Sequence, residues 1–272
     1  MKTPVKVGLG LMMAVAAAVA GFASAGAAPG GSSNKGSDAQ PVTAGAFTQP
    51  TPENSFVPLD PCRIIDTRAA AGGKLAANTG RTFFVKGTFG FEGQGGKAGG
   101  CGVPSSASAV AVSVTTTISS ANNRLVAYPA GTAVPTSTTV SYLKSANVTG
   151  SSVVKVASNA GTFMAIHNFN ATTHVVVDVV GYYVPPLTAR INADGTVAFT
   201  SGRVIATSRP GAGRYLVTFD RDVSQCSLFA SLSTPGNNLI SVAPGTAVQA
   251  SVTIGPGPLV HADSPFTINV VC

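Results

Sequence analysis

Asp178 is the acidic residue whose place in the sequence most invites a chemical role. It interrupts the apolar run HVVVDVVGYY at 174–183, with valines on both sides. Such a run of β-branched residues predicts a strand, and a carboxylate within it is expected to be strongly desolvated. A buried carboxylate takes a cationic partner or becomes protonated. Arg63 and Arg68, both in the segment PCRIIDTR, are the candidate partners, and Asp66 competes for Arg68.

Two interpretations of these charged residues remain open. In the functional one, an acid/base pair or a ligand-binding site is formed by Asp66, Arg68, His174 and Asp178. In the structural one, an ion pair fixes the register between the first and last strands of one domain. Only 10% of the residues are charged, so a single polar pair can specify that pairing, and we favour the structural interpretation. A hydrolase with Asp66 and Asp178 as its paired carboxylates is the alternative.

Alternation along the predicted strands decides which of these side chains can meet. Residues two apart in a strand share a face. For the opening strand, the prediction is one face with Arg63, Ile65 and Thr67 and an opposite face with Ile64, Asp66 and Arg68. His174 and Asp178 share a face of the closing strand but lie about 13 Å apart by strand rise, so they cannot form a direct dyad.

Other motifs do not predict a catalytic centre. The S-x-x-K match at 141–144 lacks the S-D-N and K-T-G elements that serine enzymes of that type need. Zinc is not expected, because the sequence has no C-x2-C pair and its histidines lack ligand spacing. The sequence therefore predicts no catalytic residue, no metal ion and no cofactor.

The beginning of the chain indicates export. Lys2 and Lys6, the apolar stretch at 7–20 and the small residues Ala23-Ser24-Ala25 predict a signal peptide over 1–25, cleaved near Ala25. Residues 26–54 are rich in Gly, Ser, Ala and Pro and predict a flexible, disordered linker. No later apolar run is long enough for a membrane span, so we expect a secreted or cell-surface protein.

Four cysteines are consistent with an oxidising compartment. An even number of cysteines in an exported chain predicts two disulfides, although three connectivities are possible. The long gap between the second and third cysteine favours Cys62–Cys101 and Cys226–Cys272.

Short strand-like segments recur about every 10 to 15 residues with Gly, Pro and Asn between them, and no segment keeps a helical period. The predicted fold class is therefore all-β, with two β-sandwich or barrel-like domains. The first covers 55–184, and the second, smaller one covers 187–272 after Pro185-Pro186. In the second domain we predict a hairpin turn at Asp194-Gly195 and one strand over 196–208.

Composition limits the classes of partner. The net charge of +7 comes from scattered basic residues, and Trp is absent, so a nucleic-acid surface is not expected. The surface is predicted to be hydroxyl-rich. If the chain binds carbohydrate, the candidate ligand contacts are His174, Tyr128, Tyr182 and Tyr183.

Three ordered motifs carry a resemblance: PCRIIDTR from Pro61, YPAG from Tyr128 and HVVVDVVGYY from His174. They resemble a β-rich module that recurs in exported bacterial surface and cell-wall-associated proteins, with the pattern PCRIxDTR, YPAG, HxVxDVxGYF. Ser113 and Thr115 depart from it, since similar modules commonly have Asn-x-Thr there. The C-terminal half is similar to small terminal β-domains of other bacterial exported proteins. The resemblance implies a surface or accessory role and transfers no catalytic residue.

The function expected from the sequence is that of an exported, non-catalytic structural, adhesive or accessory binding module of the bacterial cell surface or extracellular medium. Cell-wall or extracellular polysaccharide is the expected partner class. The alternatives are a glycan or cell-wall hydrolase that uses Asp66 and Asp178, and a dedicated carbohydrate-binding module.

Overall fold

The computed structural model describes residues 53–158 and 161–272. The predicted signal peptide and nearly all of the predicted linker lie outside the described residues. The described residues form sixteen strands in four sheets of four strands each, together with a 3-10 turn at Glu92–Gln94. The predicted all-β fold class is confirmed. Within the described ranges, no helix is long and apolar enough to cross a membrane.

The first eight strands form two sheets with antiparallel pairing. Their bounds are β1 Ser55–Asp66, β2 Thr79–Phe83, β3 Ala109–Thr117, β4 Asn123–Pro129, β5 Val140–Tyr142, β6 Val148–Lys155, β7 Met164–Asn168 and β8 His174–Val184. Sheet I has the strand order β1-β8-β3-β6, and sheet II has the order β2-β7-β4-β5. In sheet I, β1 lies at one edge and β8 is paired on both sides, by β1 and β3.

The core of this first sandwich lies between sheets I and II. On β3, Val110, Val112 and Val114 are buried, whereas Ser113 and Thr115 alternate with them on the other face and are partly exposed. This period of two is what a sheet with one covered face requires. One hydrophobic cluster takes in buried side chains from both sheets, so the two sheets form a β-sandwich.

The last eight strands form a second pair of sheets. Their bounds are β9 Leu187–Ile191, β10 Val197–Thr200, β11 Val204–Gly211, β12 Arg214–Phe219, β13 Ser227–Leu232, β14 Leu239–Pro244, β15 Gln249–Gly255 and β16 Phe266–Val271. Sheet III has the order β10-β9-β16-β13, and sheet IV has the order β11-β12-β15-β14. These two sheets enclose a separate hydrophobic cluster, which makes a second sandwich.

Pro185-Pro186 joins the two sandwiches, and both belong to one compact unit. Arg203, which is 5% exposed, donates a hydrogen bond from Nη1 to the carbonyl of Pro185 at 3.3 Å. The guanidinium also pairs with Asp220, at 2.9 Å from Nη2 to Oδ1. The carbonyl of Pro185 thus accepts a hydrogen bond from an arginine that is itself held by an ion pair. This contact fixes the connection between the two sandwiches.

The single strand predicted over 196–208 is wrong. The segment forms β10 in sheet III and β11 in sheet IV, and the chain passes between the sheets at Gly202. Gly202 has φ +91°, a left-handed conformation that glycine adopts without strain, and its N–H donates to Thr200 Oγ1 at 3.1 Å. The predicted hairpin before it is confirmed, since β9 and β10 pair across a turn in which Gly195 has φ +89°.

Irregular pairing of β1 overturns the predicted faces of the opening strand. Its register against β8 shifts between Pro58 and Cys62 and again between Arg63 and Ile65. Ile64 and Ile65 are consequently both fully buried, although a regular strand would separate them. An extra residue at a β-bulge reverses the alternation that follows it. As a result Asp66 lies within reach of Arg63, on the side opposite to that predicted.

Both predicted disulfides are present. Cys62 is bonded to Cys101 and Cys226 to Cys272. The first bond attaches the glycine-rich loop before β3 to the irregular strand β1. The second attaches the end of β16 to the residue before β13, so each sandwich has one covalent tie. The predicted pairing is confirmed.

We expect the double variant Cys226→Ser/Cys272→Ser to lose roughly 4 kcal/mol of unfolding free energy, because the bond closes a loop with a sequence separation of 46. Urea unfolding of the variant and the unchanged protein measures this loss. Thiol titration of the unfolded, non-reduced protein is expected to detect no free thiol. A reactive thiol, or equal stability of the two proteins, would contradict the assignment.

Candidate functional site on the outer face of sheet I

Arg63 and Asp178 meet across the β1–β8 pair. They are direct cross-strand neighbours, and Arg63 Nε donates to Asp178 Oδ1 at 2.7 Å while Nη2 donates to Oδ2 at 3.3 Å. The two residues are 115 positions apart in the sequence. Of the two partners proposed for Asp178, the structure therefore selects Arg63.

Arg68 pairs with Asp66 instead. Its Nε and Nη2 donate to the two carboxylate oxygens at 2.9 and 2.7 Å, and its backbone N–H donates to Oδ1 at 3.0 Å. Arg63 Nη1 also reaches Asp66 Oδ2 at 3.1 Å. The four side chains thus form one continuous array of alternating charge, in the order Arg68, Asp66, Arg63, Asp178.

This array keeps Asp66 ionised. Hydrogen bonds from Arg68, with the charges of Arg68 and Arg63, lower the pKa of Asp66 to about 2. Hydrogen bonding to Asp178 raises the pKa of Arg63, and hydrogen bonding to Asp66 raises the pKa of Arg68. A carboxyl group with so low a pKa cannot hold the proton that a general acid must donate near neutral pH. Asp66 therefore has the properties of an acceptor in a fixed ion-pair network.

The strong desolvation predicted for Asp178 is wrong, because its side chain is 28% exposed. The alternating valines Val175, Val177 and Val179 point into the core, which places Asp178 on the opposite face. We call this the outer face of sheet I, the face turned away from sheet II. The valines that flank Asp178 in the sequence do not enclose it, since they belong to the other side of the strand.

His174 is held apart from the carboxylates. Its Nδ1 hydrogen-bonds the Oγ1 of the fully buried Thr67 at 3.0 Å, and that hydroxyl also accepts the N–H of Val175 at 2.9 Å. Burial lowers the pKa of His174, and Lys74 adds to the effect. The imidazole therefore ties the end of β1 to the start of β8.

The three candidate tyrosines lie in different surroundings. Tyr128 is 8% exposed and packs in a small cluster with Val126, Ala165 and Phe169, so little of its ring faces the surface. Tyr182 packs against the core of the first sandwich. Tyr183 lies on the outer face of sheet I.

Phe56 completes an aromatic pair that the sequence did not predict. It is opposite Tyr183 on β1, with ring centroids 5.1 Å apart, and it is 48% exposed. Its ring also covers Gly181, where an added Cβ would lie 2.4 Å from the ring. A glycine within a strand often marks such close approach, so Gly181 was the available signal.

Hydroxyl groups continue the outer face beyond the charged array. Ser113 on β3 is the cross-strand neighbour of Asp178 on β8 and, on its other side, of the exposed Ser151 on β6. One row further along, Thr115 and Thr149 hydrogen-bond through their Oγ1 atoms at 2.8 Å.

At the β1 edge, an open cavity of about 460 Å³ is lined by Leu59, Asp60, Pro61, Cys62, Arg63, Lys97 and Cys101.

The outer face thus combines an aromatic pair, a charge-balanced array and hydroxyl groups. Within the part of the chain that the structure describes, no group of three His, Cys, Asp or Glu side chains could hold a metal ion. The arrangement is suited to hydrogen bonding and stacking with a neutral ligand.

The chain matches no family model, no curated protein and no solved structure in comparisons with known proteins. The resemblance carried by PCRIIDTR, YPAG and HVVVDVVGYY therefore stays a prediction.

We expect Asp66→Asn to lower the unfolding free energy by about 2 kcal/mol at mildly acidic and neutral pH. The pKa of Asp66 is lower in the folded than in the unfolded protein, so its ionised form adds stability above the unfolded value of 3.8. That contribution is lost as pH falls towards about 2.

Urea unfolding of both proteins between about pH 6 and pH 2.5 tests this, with Asp60→Asn at an exposed carboxylate as the control. The difference between Asp66→Asn and the unchanged protein should shrink as the pH falls. A pH-independent difference would contradict the role assigned to Asp66.

Proposed function

We propose that this chain is an exported, non-catalytic binding module that presents the outer face of sheet I to cell-wall or extracellular polysaccharide. The observation that carries the proposal is the Phe56–Tyr183 pair, in which Phe56 is exposed and Tyr183 is partly exposed, on the same face as the charge-balanced array and the hydroxyl rows. Sugar rings have an apolar face that stacks on aromatic rings and hydroxyl groups that hydrogen-bond to polar side chains. The outer face supplies both kinds of contact.

The charge balance favours a neutral polymer as partner. Two arginines and two aspartates cancel within the array, and each guanidinium already has a carboxylate partner. A strongly charged ligand would have to break these pairs. Neutral hydroxyl groups can instead hydrogen-bond to the lone pairs and N–H groups that the ion pairs leave unused. The ion pairs then stay intact.

A hydrolase that uses Asp66 and Asp178 fits the geometry less well. Arg63 lies between the two carboxylates and hydrogen-bonds both of them, at 3.1 Å and 2.7 Å. A glycosidase needs one carboxyl group that stays protonated while the other is ionised. The low pKa keeps Asp66 ionised, and Arg63 occupies the position between the two carboxylates, so these residues support a binding role.

Export is part of the same proposal. Two disulfides are typical of proteins that fold in an oxidising compartment. The basic and apolar start of the sequence adds the expectation of a signal peptide. Both features support a location outside the cytoplasm, where cell-wall and extracellular polysaccharides are found.

We expect Phe56→Ala to weaken binding to insoluble peptidoglycan, cellulose or chitin by about tenfold, because an aromatic anchor of an interface is commonly worth 1 to 2 kcal/mol. Co-sedimentation of the purified protein with each polymer measures the effect. Phe229→Ala is the matched control, since Phe229 is a similarly exposed phenylalanine, 57% exposed, on β13 of the second sandwich.

The proposal fails if the unchanged protein binds none of these polymers. It also fails if Phe229→Ala weakens binding as much as Phe56→Ala. Thermal midpoints of both variants should lie close to that of the unchanged protein, because each side chain is largely outside the core.

A further inference from the structure

Lys86 is a buried cation that contacts a carbonyl oxygen and an aromatic ring. The residue is 5% exposed, and among the residues that the structure describes no carboxylate lies within ion-pair distance of it. Its Nζ makes one long hydrogen bond, 3.4 Å to the carbonyl of Ala107, and lies 4.6 Å from the ring centroid of Phe163. Burying an ammonium group without a strong partner costs free energy. Consistent with this, burial lowers the pKa of Lys86.

The same lysine lines an open cavity at one end of the first sandwich. The cavity has a volume of about 440 Å³ and lies just beyond the end of β2 and before the start of β7. Phe84, Phe89 and Phe163 form its apolar walls. Thr88 and Ser105 add hydroxyl groups to the lining, and none of the lining residues that the structure describes is acidic.

Phe89 gives the cavity an exposed apolar margin. It is 79% exposed and packs edge-to-face against Phe84, with ring centroids 5.8 Å apart. A phenylalanine so exposed gains little from folding, which points to a role in contact with another molecule. The volume lies within the usual range of small-molecule sites, about 300 to 1,000 Å³.

We propose that this cavity binds a small amphiphilic carboxylate, whose anionic group pairs with the Lys86 ammonium while its apolar body packs among Phe84, Phe89 and Phe163. The carboxylate supplies the partner that the lysine lacks. A single ammonium group in apolar surroundings matches a monoanion better than a dianion such as phosphate. The site is separate from the outer face of sheet I, so it does not depend on the function proposed for that face.

Two classes of compound share this chemistry, namely aromatic carboxylates and fatty acids. Titration calorimetry of the purified full chain with 3-phenylpropionate and with octanoate distinguishes them. We expect at least one of the two to bind with a Kd of about 1 mM or lower. The uncharged analogues 3-phenylpropanol and octanol should bind at least about tenfold more weakly.

Lys86→Met tests the role of the charge. Methionine has a similar length and no charge, so we expect binding of the carboxylate to weaken by at least about tenfold while the thermal midpoint stays the same or rises. Lys155→Met, at an exposed lysine of β6, is the matched control and should bind like the unchanged protein. Phe89→Ala should weaken binding severalfold without affecting the core.

The proposal is overturned if neither carboxylate binds the unchanged protein at millimolar concentration. It is also overturned if the uncharged analogues bind equally well, or if Lys86→Met retains full affinity. Should Lys86→Met fail to fold, the comparison of charged and uncharged analogues with the unchanged protein and with Phe89→Ala decides the question.

Discussion

The first sandwich depends on the antiparallel pairing of β1 with β8, two strands whose central residues are 115 positions apart. Closing so long a loop is entropically costly. In addition, a strand of valines can pair in several registers that bury similar side chains, and only one of them is native. Arg63 and Asp178 break that ambiguity, because a shift of the strand would leave the carboxylate without its guanidinium. The bulges of β1 then determine where Asp66 and Arg68 join the array.

Much of this architecture can be read from the sequence, for a physical reason. Valine at alternate positions, as in β3, specifies both the strand and its buried face, whereas the consecutive valines of β8 specify only the strand. Glycine and proline mark where strands stop. The bulge after Arg63 has no comparable signal, because Ile64 and Ile65 are equally apolar and either could face the core. The passage between sheets at Gly202 was missed because a glycine in a strand-like segment predicts a bulge as readily as a crossing.

Some features of the candidate sites can likewise be predicted from the sequence, and others cannot. The arginine and aspartate partners were predictable since so few charges exist to pair. The exposure of Asp178 was not, because its neighbours in the sequence differ from its neighbours in space. Phe56 became visible only through the register that sets it opposite Tyr183. Lys86 did have a signal, since FFVKGTFGF places one lysine among phenylalanines, but its burial depends on the loops that surround it.

The disulfide at Cys62 has a mechanical consequence. Ser55 is paired with Val184, so the chain enters the first sandwich and leaves it at the same end of the β1–β8 pair. Tension between these two points would separate β1 from β8 one residue pair at a time, rather than load all the pairs at once in shear. The bond to Cys101 stops that peeling at residue 62. Only the seven residues from 55 to 61, about 23 Å of extended chain, can then lengthen under load before a covalent bond carries the force.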